Sequence, residues 1–152
     1  MNALLYLENE VTAFTISDIQ FDELCSKCPS LTFSRAVCEE EIVNKLADTD
    51  IFITWQFKES WYQHSPHLKA IFTPAAGNDW IHRNSHYSVP VYNGTFHGKI
   101  MVESLLGMIL YNNRRFNKLI ENKQNKIYDR NVESTTSTLR NQKVMIIGCG
   151  NI

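Results

Sequence analysis

The chain has 152 residues, of which 43% are hydrophobic, so it is long enough for a packed core. Lysine and arginine total 15 against 16 acidic residues, with no basic stripe or acidic tail, which argues against nucleic acid or a membrane surface as the partner. The opening MNALLYLENE lacks a cationic leader, and no stretch approaches the roughly 18 apolar residues of a membrane span. We therefore expect a cytoplasmic protein.

The first 95 or so residues alternate between strand and helix patterns. NALLYL at 2–7 predicts a buried strand, and Ser17 predicts the cap of a helix that ends before Pro29. The acidic run that follows Cys38 predicts a second helix. Further strands are predicted over 31–36, 50–55, 68–74 and 89–93, with a short crossing over 57–66. This alternation predicts a doubly wound, mostly parallel α/β sheet, because parallel neighbours need helical crossovers.

The pattern changes after Gly98. A long helix is predicted over 98–125, and its first half is apolar on nearly every side, so we expect it to be buried all round by more than one sheet face. Residues 126–142 are polar and typical of a linker. KVMIIG then predicts a sixth strand, separated from the other five by about fifty positions.

The last ten residues, KVMIIGCGNI, predict a strand that runs into Gly148, Cys149, Gly150, Asn151 and Ile152. This is the first part of the GxGxxG pattern, in which one glycine makes a tight turn, the next lets backbone approach a pyrophosphate, and a helix N-terminus follows. The same glycines also suit an ordinary strand-to-helix turn, so the motif alone decides little.

Three longer segments carry a family resemblance. LKAIFTPAAGNDWI, VPVYNGTFHGKIMVESLLGMILYNNRRF and TLRNQKVMIIGCGNI resemble, in order and spacing, the D-isomer-specific 2-hydroxyacid dehydrogenases over about residues 45–152. The most specific pieces are the loop 75–79, the Val102-Glu103 pair and the strand into the glycines.

The resemblance implies an enzyme that transfers a hydride between NAD or NADP and a small 2-hydroxy or 2-keto acid, acting as a homodimer. It implies a flavodoxin-like substrate lobe over 1–97, an interlobe and dimerisation helix over 98–125, a linker over 126–142, and the start of a Rossmann domain over 143–152. Ala76 and Gly77 would offer backbone amides to the substrate carboxylate. Met101, Gly148, Gly150, Asn151 and Ile152 would lie at the cofactor.

No position of the sequence matches the family's catalytic arginine or its glutamate–histidine pair. We therefore expect this chain to be the N-terminal part of such an enzyme, truncated inside the dinucleotide fingerprint and inactive alone. The alternative is a non-catalytic α/β module for dimerisation or regulation.

Several single residues admit two interpretations. Trp55, with Gln56, ends the third strand at the edge where open α/β sheets bind ligands, so it is a candidate for the substrate pocket or for rim packing. His97 lies in the loop next to the start of the long helix and is either a cleft residue or a surface or capping histidine. Glu103 is expected to be buried and hydrogen-bonded. The pair Cys25 and Cys28 lacks the context of a redox or zinc site, so we expect reduced cysteines and no metal.

Overall fold

The computed structural model of the chain describes residues 1–148 and residue 150, and it divides into two compact units, 1–94 and from Thr95 onward. The first unit contains five strands: β1 (Asn2–Tyr6), β2 (Thr32–Arg35), β3 (Ile51–Thr54), β4 (Ala70–Thr73) and β5 (Val91–Asn93). They form one sheet in the order β2-β1-β3-β4-β5, and every neighbouring pair is parallel. The predicted parallel α/β fold is confirmed, and the strand order is consistent with a flavodoxin-like sheet.

Two helices of the first unit connect the strands, α1 (Asp18–Lys27) and α2 (Glu39–Leu46). Short 3₁₀ helices span Thr12–Phe14 and Glu59–His64. As predicted, Ser17 caps α1, because its Oγ accepts from the Gln20 amide at 3.3 Å while the Gln20 side chain accepts from the Ser17 amide at 2.9 Å. Ile19 of α1 is 80% exposed. Phe21 of the same helix packs against the sheet, with its ring centroid 6.4 Å from that of Phe33.

A cluster of buried side chains in the first unit lies on the face of the sheet that carries Leu4, Phe52 and Ile71. Its members are aliphatic and aromatic side chains from the strands, α2, the 59–64 helix and the connecting segments: Leu4, Ala36, Ile42, Leu46, Phe52, Phe57, Trp61, Tyr62, Leu68, Ile71 and Ile81. Phe52 is fully buried and meets Phe57 and Trp61 at ring-centroid distances of 5.7 and 6.0 Å. Such burial stabilises the fold by about 1.5–3 kcal/mol for each large side chain. This core fixes the strands whose ends carry the candidate site.

The second unit is mainly helical, with α3 (His97–Asn113), α4 (Phe116–Gln124) and a 3₁₀ helix at Arg130–Thr135. The prediction of one continuous long helix is wrong, because the helix is interrupted at Arg114 and Arg115, and Arg115 takes the left-handed φ of 55° that ends a helical ladder. No residue of α3 is buried, so the described residues of one chain do not supply the cover expected for it. Glu103, expected to be buried, is exposed.

Residues 143–148 differ from the sequence prediction as well. Among the described residues the structure has no strand after Asn93, so the predicted sixth strand does not form there. Val144, Met145, Ile146 and Ile147 are between 72% and 93% exposed. A single strand needs a neighbour to pair its backbone groups, and the described chain gives this segment none. No helix within the described part is long and apolar enough to cross a membrane.

Candidate functional site

A cavity of about 380 Å³ opens at the carboxyl-terminal edge of the sheet in the first unit. Its walls come from the segments after β1, β3 and β4 together with the short 12–14 helix. The lining residues are Tyr6, Glu8, Asn9, Phe14, Trp55, Gln56, Ala75 and Trp80. Because β1 lies between β2 and β3, the connections leaving it and its neighbour diverge there, and open α/β sheets bind ligands at such a switch point. The cavity therefore lies where the fold favours ligand binding.

The loop after β1 is fixed by its own hydrogen bonds. Thr15 Oγ1 donates to the Asn9 carbonyl at 3.0 Å and accepts from the Asn9 amide at 3.0 Å. Asn9 Oδ1 accepts from the Val11 amide at 2.9 Å, as asparagine commonly does in turns. Trp55 Nε1 donates to the Phe14 carbonyl at 2.7 Å, and the Phe14 and Trp55 ring centroids are 5.4 Å apart. This loop therefore holds two aromatic rings as one wall of the cavity.

Glu8 is positioned by Arg35, the last residue of β2. Glu8 Oε1 accepts from Arg35 Nε at 3.2 Å and from Arg35 Nη2 at 2.8 Å. The same guanidinium donates to Asp18 Oδ1 at 2.7 Å and to the Ile16 carbonyl at 2.9 Å. Hydrogen bonds to Glu8 and Asp18 raise the pKa of Arg35. The arginine is thus committed to protein groups and fixes the carboxylate at the cavity wall.

Polar groups of the cavity keep open hydrogen-bonding positions. Glu8 Oε2 and the Gln56 side-chain amide have no hydrogen-bond partner among the described residues. Burial raises the pKa of Tyr6, and the nearby carboxylates of Glu39 and Glu8 raise it further. Tyr6 is therefore a neutral phenol at physiological pH. The site combines aromatic walls with a few polar groups, which is the usual composition of a small-molecule pocket.

The loop 75–79 follows β4 beside the cavity, and Ala75 lines it. The Ala75 carbonyl accepts from the Gly94 amide at 2.9 Å, which ties this loop to the end of β5. The Ala76 and Gly77 amides donate no hydrogen bond to any described residue, and Gly77 is exposed. They are therefore available to an acceptor. A Cβ placed on Gly77 would lie 3.4 Å from Asp79 Oδ2, so a carboxylate stands close to these amides.

The structure thus brings Trp55 and the loop that contains Ala76 and Gly77 to the same edge of the sheet. Met101 belongs to α3 of the second unit, where it is 53% exposed. Gly148 and Gly150 are exposed, while Asn151 and Ile152 lie outside the described residues. His97, predicted in the loop next to the helix start, is the first residue of α3, with its ring centroid 4.3 Å from that of Phe96.

A bound dinucleotide requires a strand, a tight glycine turn and the N-terminus of a following helix. Gly148 has a φ of 88°, in the left-handed region that favours glycine and suits a tight turn. The preceding segment is not a strand, and no helix follows within the described residues. The described residues therefore do not form the strand, turn and helix that hold a pyrophosphate. They also contain no cluster of three or more potential metal ligands, and Cys25, Cys28 and Cys38 are unpaired.

Sequence reasoning missed part of this site. Glu8 and Asn9 follow β1 directly, so the rule that selected Trp55 after β3 would have selected them too. Phe14 and Trp80 carry no comparable local signal. Trp80 reaches the cavity because its carbonyl accepts from the Phe57 amide at 3.0 Å, a contact between two connecting segments.

The sequence matches no family model and no curated protein. Its fold is similar to that of several solved structures. The NAD-dependent formate dehydrogenase from Staphylococcus aureus, in complex with NAD, is 14% identical with a TM-score of 0.58, over 90% of this chain and 46% of that chain. An acyclic imino acid reductase in complex with NADPH and D-arginine is 18% identical with a TM-score of 0.57, over 84% of this chain and 42% of that chain.

The apo D-lactate dehydrogenase from Escherichia coli is also similar, at 11% identity with a TM-score of 0.52, over 91% of this chain and 44% of that chain. At such identities the likeness concerns the fold. The chain spans less than half the length of each of these three proteins. The chain therefore shares an α/β fold with part of each of these three proteins, two of which were solved with NAD or NADPH bound.

Proposed function

We propose that this chain provides the substrate-binding lobe of an NAD(P)-dependent oxidoreductase that acts on a small 2-hydroxy or 2-keto acid. The observation that carries the proposal is the cavity at the switch point between β1 and β3, bordered by the loop with two unused backbone amides. Two successive backbone amides without a described partner are suited to a carboxylate. The aromatic walls would exclude water from the remainder of the ligand.

Two further features support the enzyme class. Three sequence segments resemble the D-isomer-specific 2-hydroxyacid dehydrogenases, and two of the similar structures contain NAD or NADPH. The nicotinamide would supply the hydride chemistry. The described residues of this chain would bind and orient the acid, with Ala76 and Gly77 at the carboxylate and Trp55 at the side chain.

The state of the protein in solution belongs to the same proposal. Apolar side chains of α3 are exposed around the helix, among them Ile100 and Met108 at 66% each. Exposed apolar surface of this extent marks interaction sites, so we infer self-association through α3 in a cytoplasmic protein. The same helix is the observation that favours the second candidate, a non-catalytic α/β module for dimerisation or regulation.

Carboxylate binding can be measured on the chain by ¹⁵N NMR titration with pyruvate and D-lactate. We expect the amides of Ala76 and Gly77 and the indole of Trp55 to shift together, while the indole of the buried Trp61 stays in place. The Asp79→Asn variant removes a negative charge beside the amides and should bind pyruvate about two- to fivefold more tightly. The matched control Asp48→Asn lies before β3, at the opposite edge of the sheet, and should leave the affinity unchanged.

Shifts confined to residues outside the cavity, or no saturable shift at millimolar acid, would refute the proposed substrate lobe. We also expect the chain alone not to oxidise NADH with pyruvate, glyoxylate or hydroxypyruvate, because its described residues form no dinucleotide cradle. Steady turnover by the pure chain would contradict that expectation. If the chain binds the acid but shows no turnover when a nicotinamide-binding domain is supplied, the result would favour the non-catalytic module.

A further inference from the structure

The walls of the cavity are suited to a cation. Phe14 and Trp55 present rings whose centroids are 5.4 Å apart, and Trp80 lines the same space while remaining 66% exposed. The face of an aromatic ring carries negative electrostatic potential and attracts a cation within about 6 Å, most strongly when the ring belongs to tryptophan. A planar guanidinium additionally stacks on such rings, which an ammonium does not.

The charged groups of the cavity also favour a cationic ligand. Glu8 is the one charged side chain that lines it among the described residues, and its Oε2 has no described hydrogen-bond partner. The nearest cation, Arg35, donates to Glu8, Asp18 and the Ile16 carbonyl, so it is not available to a ligand. Because Arg35 is shared between Glu8 and Asp18, it neutralises Glu8 only in part.

The loop 75–79 is suited to the opposite charge, because the amides of Ala76 and Gly77 donate no hydrogen bond to a described residue and can bind an anion. A ligand that satisfies both places carries a carboxylate at one end and a cation at the other. A second carboxylate would face Glu8 where the guanidinium of Arg35 is already shared between two carboxylates and no cation is among the described residues that line the cavity, which is unfavourable in a partly buried site. A purely apolar end would leave Glu8 Oε2 without a partner while displacing the water that hydrates it.

We propose that the cavity selects acids whose side chain ends in a planar cation, with Glu8 as its counter-ion and the rings of Phe14, Trp55 and Trp80 as its walls. The inference names the substrate class of the proposed function and rests on it for the carboxylate end. Glu8 is then the residue that determines specificity, and Gln56 offers a neutral hydrogen bond beside it.

A matched pair of probes tests the inference on the whole chain. 4-Guanidinobutyrate and 4-ureidobutyrate have the same length, and each ends in a planar group of the same size. The guanidinium group is positively charged, whereas the urea group is neutral. In a ¹⁵N NMR titration we expect the guanidino acid to bind at least about tenfold more tightly, a difference of about 1.4 kcal/mol. The Trp55 and Trp80 indole signals should report it.

Three variants assign the preference to residues. Glu8→Gln keeps an oxygen acceptor for Arg35. In this variant the affinity for the guanidino acid should exceed that for the ureido acid by a factor of at most about three. Glu10→Gln makes the same charge change two residues later, at an exposed side chain outside the cavity, and should keep the tenfold ratio. Trp80→Leu removes an exposed wall ring and should reduce the ratio about two- to fourfold, independently of the Glu8 contacts.

Each outcome decides between the claims. Equal affinities in the wild type, or a ratio that persists in Glu8→Gln, would overturn the cation preference. If pyruvate still shifts the Ala76 and Gly77 amides, the proposed carboxylate site survives that failure. Conversely, a Glu8-dependent response to methylguanidinium without any response to pyruvate would support the cation subsite and refute the proposed function. No binding of either probe at millimolar concentration would overturn the inference.

Discussion

Residues 1–94 and the segment from Thr95 onward both contain many apolar side chains, but these side chains are buried in the first unit and mostly exposed in the second. In the first unit Leu4, Phe52 and Ile71 are fully buried around a parallel sheet. In the second, Val132 and Asn122 are the buried residues among those described, while Leu105 of α3 is 57% exposed. The difference shows that apolar content by itself does not make a core. A sheet with a covering helix buries its residues within the chain, whereas a helix that is apolar on all sides needs surfaces beyond it.

The largest expected effect comes from deleting a ring in the first unit. Phe52→Ala should lower the free energy of unfolding by about 3–5 kcal/mol, because it removes packing and leaves a cavity. Leu105→Ala in α3, measured at a protein concentration low enough to keep the chain monomeric, is the matched control and should change it by less than about 0.5 kcal/mol, since the side chain is exposed in the single chain. Urea unfolding followed by circular dichroism measures both. Equal losses in the two variants would remove the contrast between the units.

The exposed helix gives the next test. Leu105→Lys places a charge on the apolar surface of α3 and should weaken self-association at least tenfold, as read by sedimentation equilibrium. Lys118→Leu on α4 changes hydrophobicity in the opposite direction at an exposed position and serves as the control. A wild-type chain that stays monomeric at high concentration would contradict the proposed role of α3.

A smaller effect concerns the end of α4. Lys126 has a φ of 56°, and the Ile127 amide donates to the Asn122 carbonyl at 2.8 Å, as in a Schellman motif. Lys126→Gly should therefore stabilise α4 by about 0.5–1 kcal/mol, because glycine adopts this backbone without strain. Lys123→Gly, inside the helix, should destabilise it by about 1 kcal/mol. Amide hydrogen exchange of α4 measures the stability change in each variant. Reduced protection of α4 in both variants would refute the assigned cap.

The smallest effect is a pH dependence in the first unit. Asp50 Oδ1 pairs with Lys69 Nζ at 2.7 Å and Oδ2 accepts from the Asn2 amide at 2.8 Å, and these bonds, Lys69 foremost, lower the pKa of Asp50. A carboxyl whose pKa falls on folding stabilises the native state above its ordinary pKa, and that contribution is lost as the pH drops through the folded value.

The unfolding free energies of wild type and Asp50→Asn should therefore differ most near pH 7 and converge as the pH falls below about 4. Asp48→Asn is the control, since its carboxylate has no described partner. Parallel pH curves for wild type and Asp50→Asn would show that the ion pair contributes nothing measurable.

The sequence predicted the first unit well for physical reasons. Its strands and helices have the right periods, Ser17 is a strong cap, and parallel order follows from the alternation of elements. It did not predict the break at Arg115, because the left-handed conformation of an arginine depends on neighbours such as the Thr135 carbonyl, which accepts from Arg115 Nε at 3.2 Å. It also did not predict that α3 is exposed in the single chain. The apolar pattern indicates that a helix is buried, but it does not indicate which surface buries it.

The site was predicted in part. Trp55 and the loop 75–79 follow strand ends, a position that sequence reveals. Glu8 follows the same rule, but its fixed orientation depends on Arg35, which is 27 residues away along the chain. The contact between Phe14 and Trp55 spans a still longer separation. Such tertiary contacts are not encoded by local patterns, so the aromatic walls and the counter-ion became visible only in the fold.

A crystal structure of the chain with bound pyruvate tests the central claim most directly. The account predicts the carboxylate oxygens within hydrogen-bonding distance of the Ala76 and Gly77 amides, and the remainder of the acid beside Trp55 in the cavity between β1, β3 and β4. Pyruvate bound at another surface, with the loop 75–79 unchanged and the cavity filled by protein side chains, would contradict it.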